Sequence, residues 1–202
     1  MFFNTWKLIK IIIVDLSTLK FKINTKMKKY IAFLRGINVG GNKKIKMITL
    51  RASIEKAGFK KVQSYIQSGN ILFNCNQESV LSISKKIEAV ILKDFRLEVP
   101  VLVTTKESIM SILKDYPFTN SEEKNQYFVL LHNSPDKALV ENFNTLKFET
   151  EDYYLTENCV YLDCKQGAGK AKLNNNLVEK KLKVTATTRN LKTMQKIVEL
   201  AG

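Results

Sequence analysis

The feature that most constrains the fold is a pair of matching segments, Tyr30–Asn42 (YIAFLRGINVGGN) and Tyr65–Phe73 (YIQSGNILF). In each, a short run of strand-forming apolar residues meets a turn rich in glycine and asparagine. The first run breaks at Arg35-Gly36 and the second at Gln67-Ser68-Gly69-Asn70. If the two strands are neighbours, their polar turns form one small site.

From Met27 onward the pattern alternates strand and helix. Tyr30–Arg35 reads as a strand, and Met47–Ala57 places Leu50, Ile54 and Ala57 at helical spacing before Gly58. Val62–Gln67 and Asn70–Asn74 read either as a hairpin or as one strand with a bulge at Gly69. Ser79–Phe95 carries Val80, Ile83, Ile87, Val90 and Ile91 on one helical face, and Val99–Thr104 follows as a strand. That order, β-α-β-β-α-β, is the split βαβ of a ferredoxin-like unit.

The remainder repeats the pattern without sequence identity. Lys106–Tyr116 is a helix stopped by Pro117, and Tyr127–His132 an apolar strand. Ser134-Pro135-Asp136 opens a helix through about Leu146, with proline at its first position. Asp152–Leu155 and Cys159–Cys164 form a hairpin, and Lys172–Leu182 and Asn190–Ala201 are the last helices. The expected fold is α+β: two tandem ferredoxin-like halves, 27–105 and 106–202, mostly antiparallel sheets with helices packed on them.

Residues 1–26 differ in character. Their apolar core, Ile11–Val14, is flanked by Lys10 and Asp15, far short of the roughly 20 residues of a membrane span. No small-residue cleavage site follows, so an export signal is a poor fit. MKKYIAFLRG at Met27 reads as a natural start, which makes 1–26 an expected extension outside the domain; an extra strand or amphipathic segment is the alternative.

At 202 residues and 45% hydrophobic composition, the chain can bury a real core, which excludes global disorder. Its 33 Lys+Arg against 19 Asp+Glu give a formal charge of +14, suited to a polyanionic partner or to solvated lysine-rich faces. Cys75, Cys159 and Cys164 are an odd set without a histidine cluster, His132 being the one histidine. They read as buried thiols of a reduced, cytoplasmic chain, with no zinc site, no cofactor and no membrane partner expected.

Four stretches carry candidate chemistry. Arg35, Gly36, Asn38, Gly40, Gly41 and Asn42, followed by Lys44 and Lys46, can cradle an anion against backbone N–H groups. The pattern is neither a G-x-G-x-x-G fingerprint nor a Walker A loop, and a tight connection with solvated lysines is the competing reading. Gln67, Ser68, Gly69 and Asn70 offer amide and hydroxyl groups, but no base stands near Ser68 to make it a nucleophile. Gly167–Lys170 resembles a phosphate loop yet has Cys164 and Ala171 where that motif needs Gly and Ser/Thr, leaving Lys170 and Lys172 as nonspecific contacts. Thr187, Thr188, Arg189 and Asn190 precede the last helix, where they either bind an anion or cap it. His132, without a partner nearby, reads as structural.

LRGINVGGNKKIKM at 34–47, YIQSGNILF at 65–73 and ATTRNLKTMQKIVEL at 186–200 resemble the domain of unknown function 1697 family, in its order and spacing. The resemblance implies two ferredoxin-like halves in a cytoplasmic bacterial protein, keeps Arg189 beside Arg35, and names no activity. The expected function is binding of nucleic acid or a phosphorylated small molecule through the basic glycine loop. One alternative is an enzyme on a phosphorylated or nucleotide-like substrate, with Arg35, Asn38, Lys46 and Arg189 stabilising charge. The other is a structural or protein-interaction role.

Overall fold

The computed structural model describes residues 27–41, 43–76 and 78–202. Segment 1–26 and Asn42 lie outside the described residues, and with them the expectation of an upstream extension. The first elements are β1 (Met27–Leu34), α1 (Met47–Lys56), β2 (Lys60–Tyr65), β3 (Asn70–Asn76), α2 (Val80–Phe95) and β4 (Val101–Thr104). They are followed by α3 (Lys106–Lys114), β5 (Gln126–Leu131), α4 (Lys137–Asn144), β6 (Glu151–Leu155) and β7 (Cys159–Cys164). The last are α5 (Asn175–Leu182), β8 (Ala186–Asn190) and α6 (Leu191–Ala201).

The strands form two four-stranded antiparallel sheets, β2-β3-β1-β4 and β6-β7-β5-β8, so the α+β class holds. The order is the same in both: the first strand of each set lies between the third and the fourth. β2 and β3 are a true hairpin, Tyr65 opposite Asn70, and the register shift falls between Lys60 and Gln63 rather than at Gly69.

Two local readings change. Ala186–Arg189, to which the sequence assigned no element, and Asn190, read as the start of the last helix, form a strand that pairs with β5 so that Leu131 faces Ala186 and Tyr127 faces Asn190. It is an edge strand with Arg189 and Asn190 in its five residues, so it lacks the apolar run that marks the central strands. Asp136, not Ser134, caps α4, its carboxylate accepting the Ala138 N–H at 2.8 Å, and Pro135 stays outside the helix.

The central strands read as unbroken apolar runs because both of their faces are covered. Along β1, Tyr30, Ala32 and Leu34 point into one core with Leu50 and Ile54 of α1 and Ile83, Ile87 and Ile91 of α2. Ile31 and Phe33 point the other way, into a middle core. β5 mirrors this: Phe128 and Leu130 enter the middle core, whereas Val129 and Leu131 pack with Phe143 of α4 and Val178 and Leu182 of α5. Period-two alternation thus serves two cores at once.

The middle core also takes Ile109 and Ile112 of α3 and Leu191, Met194, Ile197 and Ala201 of α6. Asn190 caps α6 by accepting the Thr193 N–H at 3.0 Å, and the apolar stripe at three- to four-residue spacing faces inward. α1 and α2 cover the outer face of one sheet and α4 and α5 that of the other, while α3 and α6 pack with both sheets around the shared middle core. The faces of the central strands are covered, whereas strand ends, loops and positions on the edge strands β2 and β6 remain exposed.

Candidate functional site

The loop after β1 is anchored at its start. Leu34 N–H donates to Gly69 O at 2.8 Å and Arg35 N–H to Pro100 O at 2.9 Å. The chain then reverses through positive φ at Gly40 (60°) and Gly41 (80°), conformations that glycine adopts without a Cβ clash. Asn38, also left-handed at φ 55°, closes the loop. Its Oδ1 accepts the Ile45 N–H (2.8 Å), and its Nδ2 donates to Ile45 O (2.9 Å) and to Gln67 O (2.9 Å). One side chain therefore joins the glycine loop to the hairpin turn.

The hairpin turn is packed from inside. Asn70 is fully buried, and its Nδ2 donates to Tyr65 O at 3.0 Å and Ser68 Oγ at 3.2 Å. A Cβ on Gly69 (φ 80°) would lie 2.6 Å from the Leu34 Cβ, so only glycine fits between the turn and β1.

Asn70 Oδ1 accepts from Nε of Arg189, which reaches across from the second sheet. Nη1 of Arg189 donates to Thr187 Oγ1 (2.9 Å) and Thr188 O (2.7 Å), and Nη2 to Leu34 O (3.1 Å), Ser68 O (3.1 Å) and Gly69 O (3.4 Å). The guanidinium also lies 5.1 Å from the centre of the Phe33 ring. Burial lowers its pKa to about 10, and the Arg35 charge adds to that; it stays protonated at neutral pH. All three nitrogens are engaged by the protein.

Arg35 is engaged too. Its Nε and Nη2 grip Glu179 at 3.1 and 2.8 Å, and Nη2 reaches Asn176 Oδ1 at 2.7 Å. Burial would raise the Glu179 pKa, but the bonds from Arg35 and from the Ala186 N–H (2.9 Å) prevail and hold the carboxyl below its ordinary value. Thr188 Oγ1 donates to Asn175 Oδ1 at 2.9 Å. The two arginines tie the sheets together at the mouth of the middle core.

His132, at the end of β5, donates its main-chain N–H to Thr185 O at 2.9 Å. Its Nε2 is buried with no partner among the described residues, and burial lowers its pKa. The thiols of Cys75, Cys159 and Cys164 are free and buried. Among the described residues, no three metal-ligating side chains gather into a group that could hold an ion.

Two concavities flank the glycine loop. One, of about 740 Å³, is lined by Asn38, Gly41, Lys44, Ile45, Lys46, Met47, Ile48 and Gln67. Lys46 is the N-cap residue of α1 and supplies no side-chain cap, and the first turn of that helix holds no acidic residue. No carboxylate lines this hollow, and neither Lys44 nor Lys46 forms an ion pair among the described residues. The other, about 600 Å³, is lined by Arg35, Gly36, Val39, Lys43, Pro100, Glu179, Val184 and Thr185. There Arg35 already holds Glu179, and Lys43 Nζ donates to Glu98 O at 2.5 Å.

The profile of the family described as "Protein of unknown function (DUF1697)" matches residues 27–161. The chain belongs to the DUF1697 family. A solved structure similar to this DUF1697 chain is that of the conserved bacterial protein SP0830 from Streptococcus pneumoniae. The two share 23% identity over 87% of this chain and 99% of that one, with a TM-score of 0.67, a likeness of fold. No curated protein matches the sequence. Among the described residues, no helix is long and apolar enough to cross a membrane.

In this DUF1697 chain, Gly36 lines the smaller hollow with Arg35, and Gly40 lines neither hollow. Ser68 accepts from Asn70 and Arg189, and Asn42 lies outside the described residues. The other candidates read from sequence fall into three groups. Arg35, Asn38, Gly69, Asn70, Thr187, Thr188, Arg189 and Asn190 bond to the protein itself or pack against it. Gly41, Lys44, Lys46 and Gln67 line the larger hollow with Asn38. Lys170 and Lys172 are exposed on the loop before α5 and line neither hollow. Glu179 and Asn176 were not anticipated: they stand 144 and 141 residues from Arg35, and no local pattern signals such a pairing. Met47 and Ile48 were read as ordinary helix positions, although Ile48 is 69% exposed.

Proposed function

We propose that the protein binds a phosphate-bearing ligand, nucleic acid or a phosphorylated small molecule, in the hollow between its glycine- and asparagine-rich loop and the first turn of α1. The observation that carries this reading is the lining: two lysines without ion-pair partners, beside an uncapped helix N-terminus, with no carboxylate among them. Helix N-terminal N–H groups and ammonium groups both favour an anion there. The sites are Lys44 and Lys46, with Gly41 and Gln67 beside them; Arg35 and Arg189 act as ties that hold the loop in place.

A second reading has its own support. Arg189 bonds Asn70 and Gly69, and Asn38 bonds Ile45 and Gln67, so the turns also serve folding. Catalysis by Arg189 has no such support, because its three nitrogens are all engaged by the protein, and Arg35 is held by Glu179 and Asn176. Base stacking on Tyr30, Phe33 or Phe73 is equally unsupported, since all three are core residues, and Tyr65 is half-buried. The matching strand orders support ferredoxin-like halves at 27–105 and 106–202, and three free buried thiols support a reducing, cytoplasmic setting.

The test is fluorescence anisotropy of a labelled single-stranded RNA with the full chain, at low and physiological salt, with inorganic pyrophosphate as competitor. Lys44→Glu with Lys46→Glu is expected to weaken binding at least tenfold, whereas Arg35→Ala leaves it within about threefold. Unchanged affinity in the double variant would falsify the assignment.

A further inference from the structure

The larger hollow is shaped for more than a phosphate group. Three of its lining residues are apolar, Ile45, Met47 and Ile48, and Lys44, Lys46 and Gln67 line it with them. Its volume, about 740 Å³, lies within the range of small-molecule sites and far exceeds what one phosphate fills. Ile48 is 69% exposed on the first turn of α1, where an apolar side chain gains by being covered.

The hairpin turn adds an independent sign. Ile66, next to Gln67, is 51% exposed and held at φ 50°. A β-branched residue in the left-handed region is strained, and nothing in the core compensates it, since its side chain faces solvent. Ile66 does not itself line the cavity, but its neighbour Gln67 does, beside the apolar Ile45, Met47 and Ile48 and the basic Lys44 and Lys46.

We infer that this cavity takes a nucleotide unit, its phosphate at Lys44 and Lys46 and its base against Ile48 and Met47, with Gln67 at the base edge. The inference rests on the phosphate reading above and narrows it. Inorganic phosphate satisfies the lysines but leaves the apolar wall wet; a bare nucleoside covers the wall but leaves the lysines unpaired. A nucleotide does both. One nucleotide of a longer strand occupies this cavity as a free nucleotide would.

Calorimetric titration of the full chain with adenosine monophosphate, adenosine and inorganic phosphate tests the inference, with Ile48→Ser as the variant. Ile48 is exposed, so the variant is expected to keep the fold. The nucleotide is expected to bind at least tenfold more tightly than either fragment, and Ile48→Ser to weaken it about fivefold or more while leaving phosphate binding unchanged. Phosphate binding as tightly as the nucleotide overturns the inference and leaves the phosphate reading standing. Adenosine binding as tightly as the nucleotide, or no binding by any of the three, overturns both. An oligonucleotide competing far better than the mononucleotide assigns the unit to a strand; equal competition assigns it to a free nucleotide.

Discussion

Arg189 offers the sharpest test of how the two sheets are held. Arg189→Ala strips the donor from Asn70 Oδ1, Thr187 Oγ1 and the carbonyls of Leu34, Ser68 and Thr188. A buried polar group left without a partner costs about 1–3 kcal/mol. Five such groups set an upper limit that is not reached: water enters part of the vacated space, and a charge without a carboxylate partner no longer has to be buried. The net loss is expected near 3–5 kcal/mol, as for two or three buried acceptors left unpaired. In urea, with a slope of about 2 kcal/mol/M, the unfolding midpoint falls on the order of 2 M. Arg189→Lys is expected to lose most of the same stability, since an ammonium cannot span acceptors on three sides. A loss below about 1 kcal/mol for Arg189→Ala, or a gain for Arg189→Met, would refute the view that this guanidinium is the tie.

Other expectations follow from the same geometry. Gly69→Ala meets both a positive φ and the Leu34 Cβ, so chemical denaturation is expected to show a loss of about 2–4 kcal/mol; Gly40→Ala, with open space around it, loses about 1 kcal/mol. Equal losses at the two positions would show that the close approach to Leu34 carries no weight. His132 has a folded pKa below its unfolded value, so the folded state binds its proton less readily. Its stability contribution is full above the unfolded value near 6.5 and is lost as pH falls below it through the folded pKa. Urea midpoints between pH 7.5 and 5 should decline, and His132→Gln should flatten that decline; an unaltered slope means other groups cause it. Burial pushes the thiols of Cys75 and Cys164 up to about 11, and that of Cys159 further. Thiol labelling at pH 8 is therefore expected to be slow until denaturant is added, and rapid labelling of the native chain would contradict this packing.

Much of the architecture was legible because it rests on local signals. The apolar runs at Ile31–Leu34, Ile71–Phe73, Phe128–Leu131 and Cys159–Leu162 mark the central strands, and Ser79 and Asn190 mark helix starts by hydrogen bonds made within three residues. β8 was missed for the complementary reason. At the sheet edge its polar side chains are paid for by distant groups, as Arg189 is by Asn70, and no window of sequence contains both.

Sequence by itself determined the alternation of elements, the two polar turns and the basic excess, since periodicity, positive-φ glycines and charge are properties of neighbouring residues. Only the tertiary structure decided what the polar residues do. It joined Arg35 to Glu179 and Arg189 to the hairpin turn, which turns the two most suggestive cations into ties. It also left Lys44 and Lys46 beside an apolar hollow. Hydrogen bonds between residues more than a hundred positions apart exist only once the two sheets have closed over a shared core, and that closure selects which charges remain available to a ligand.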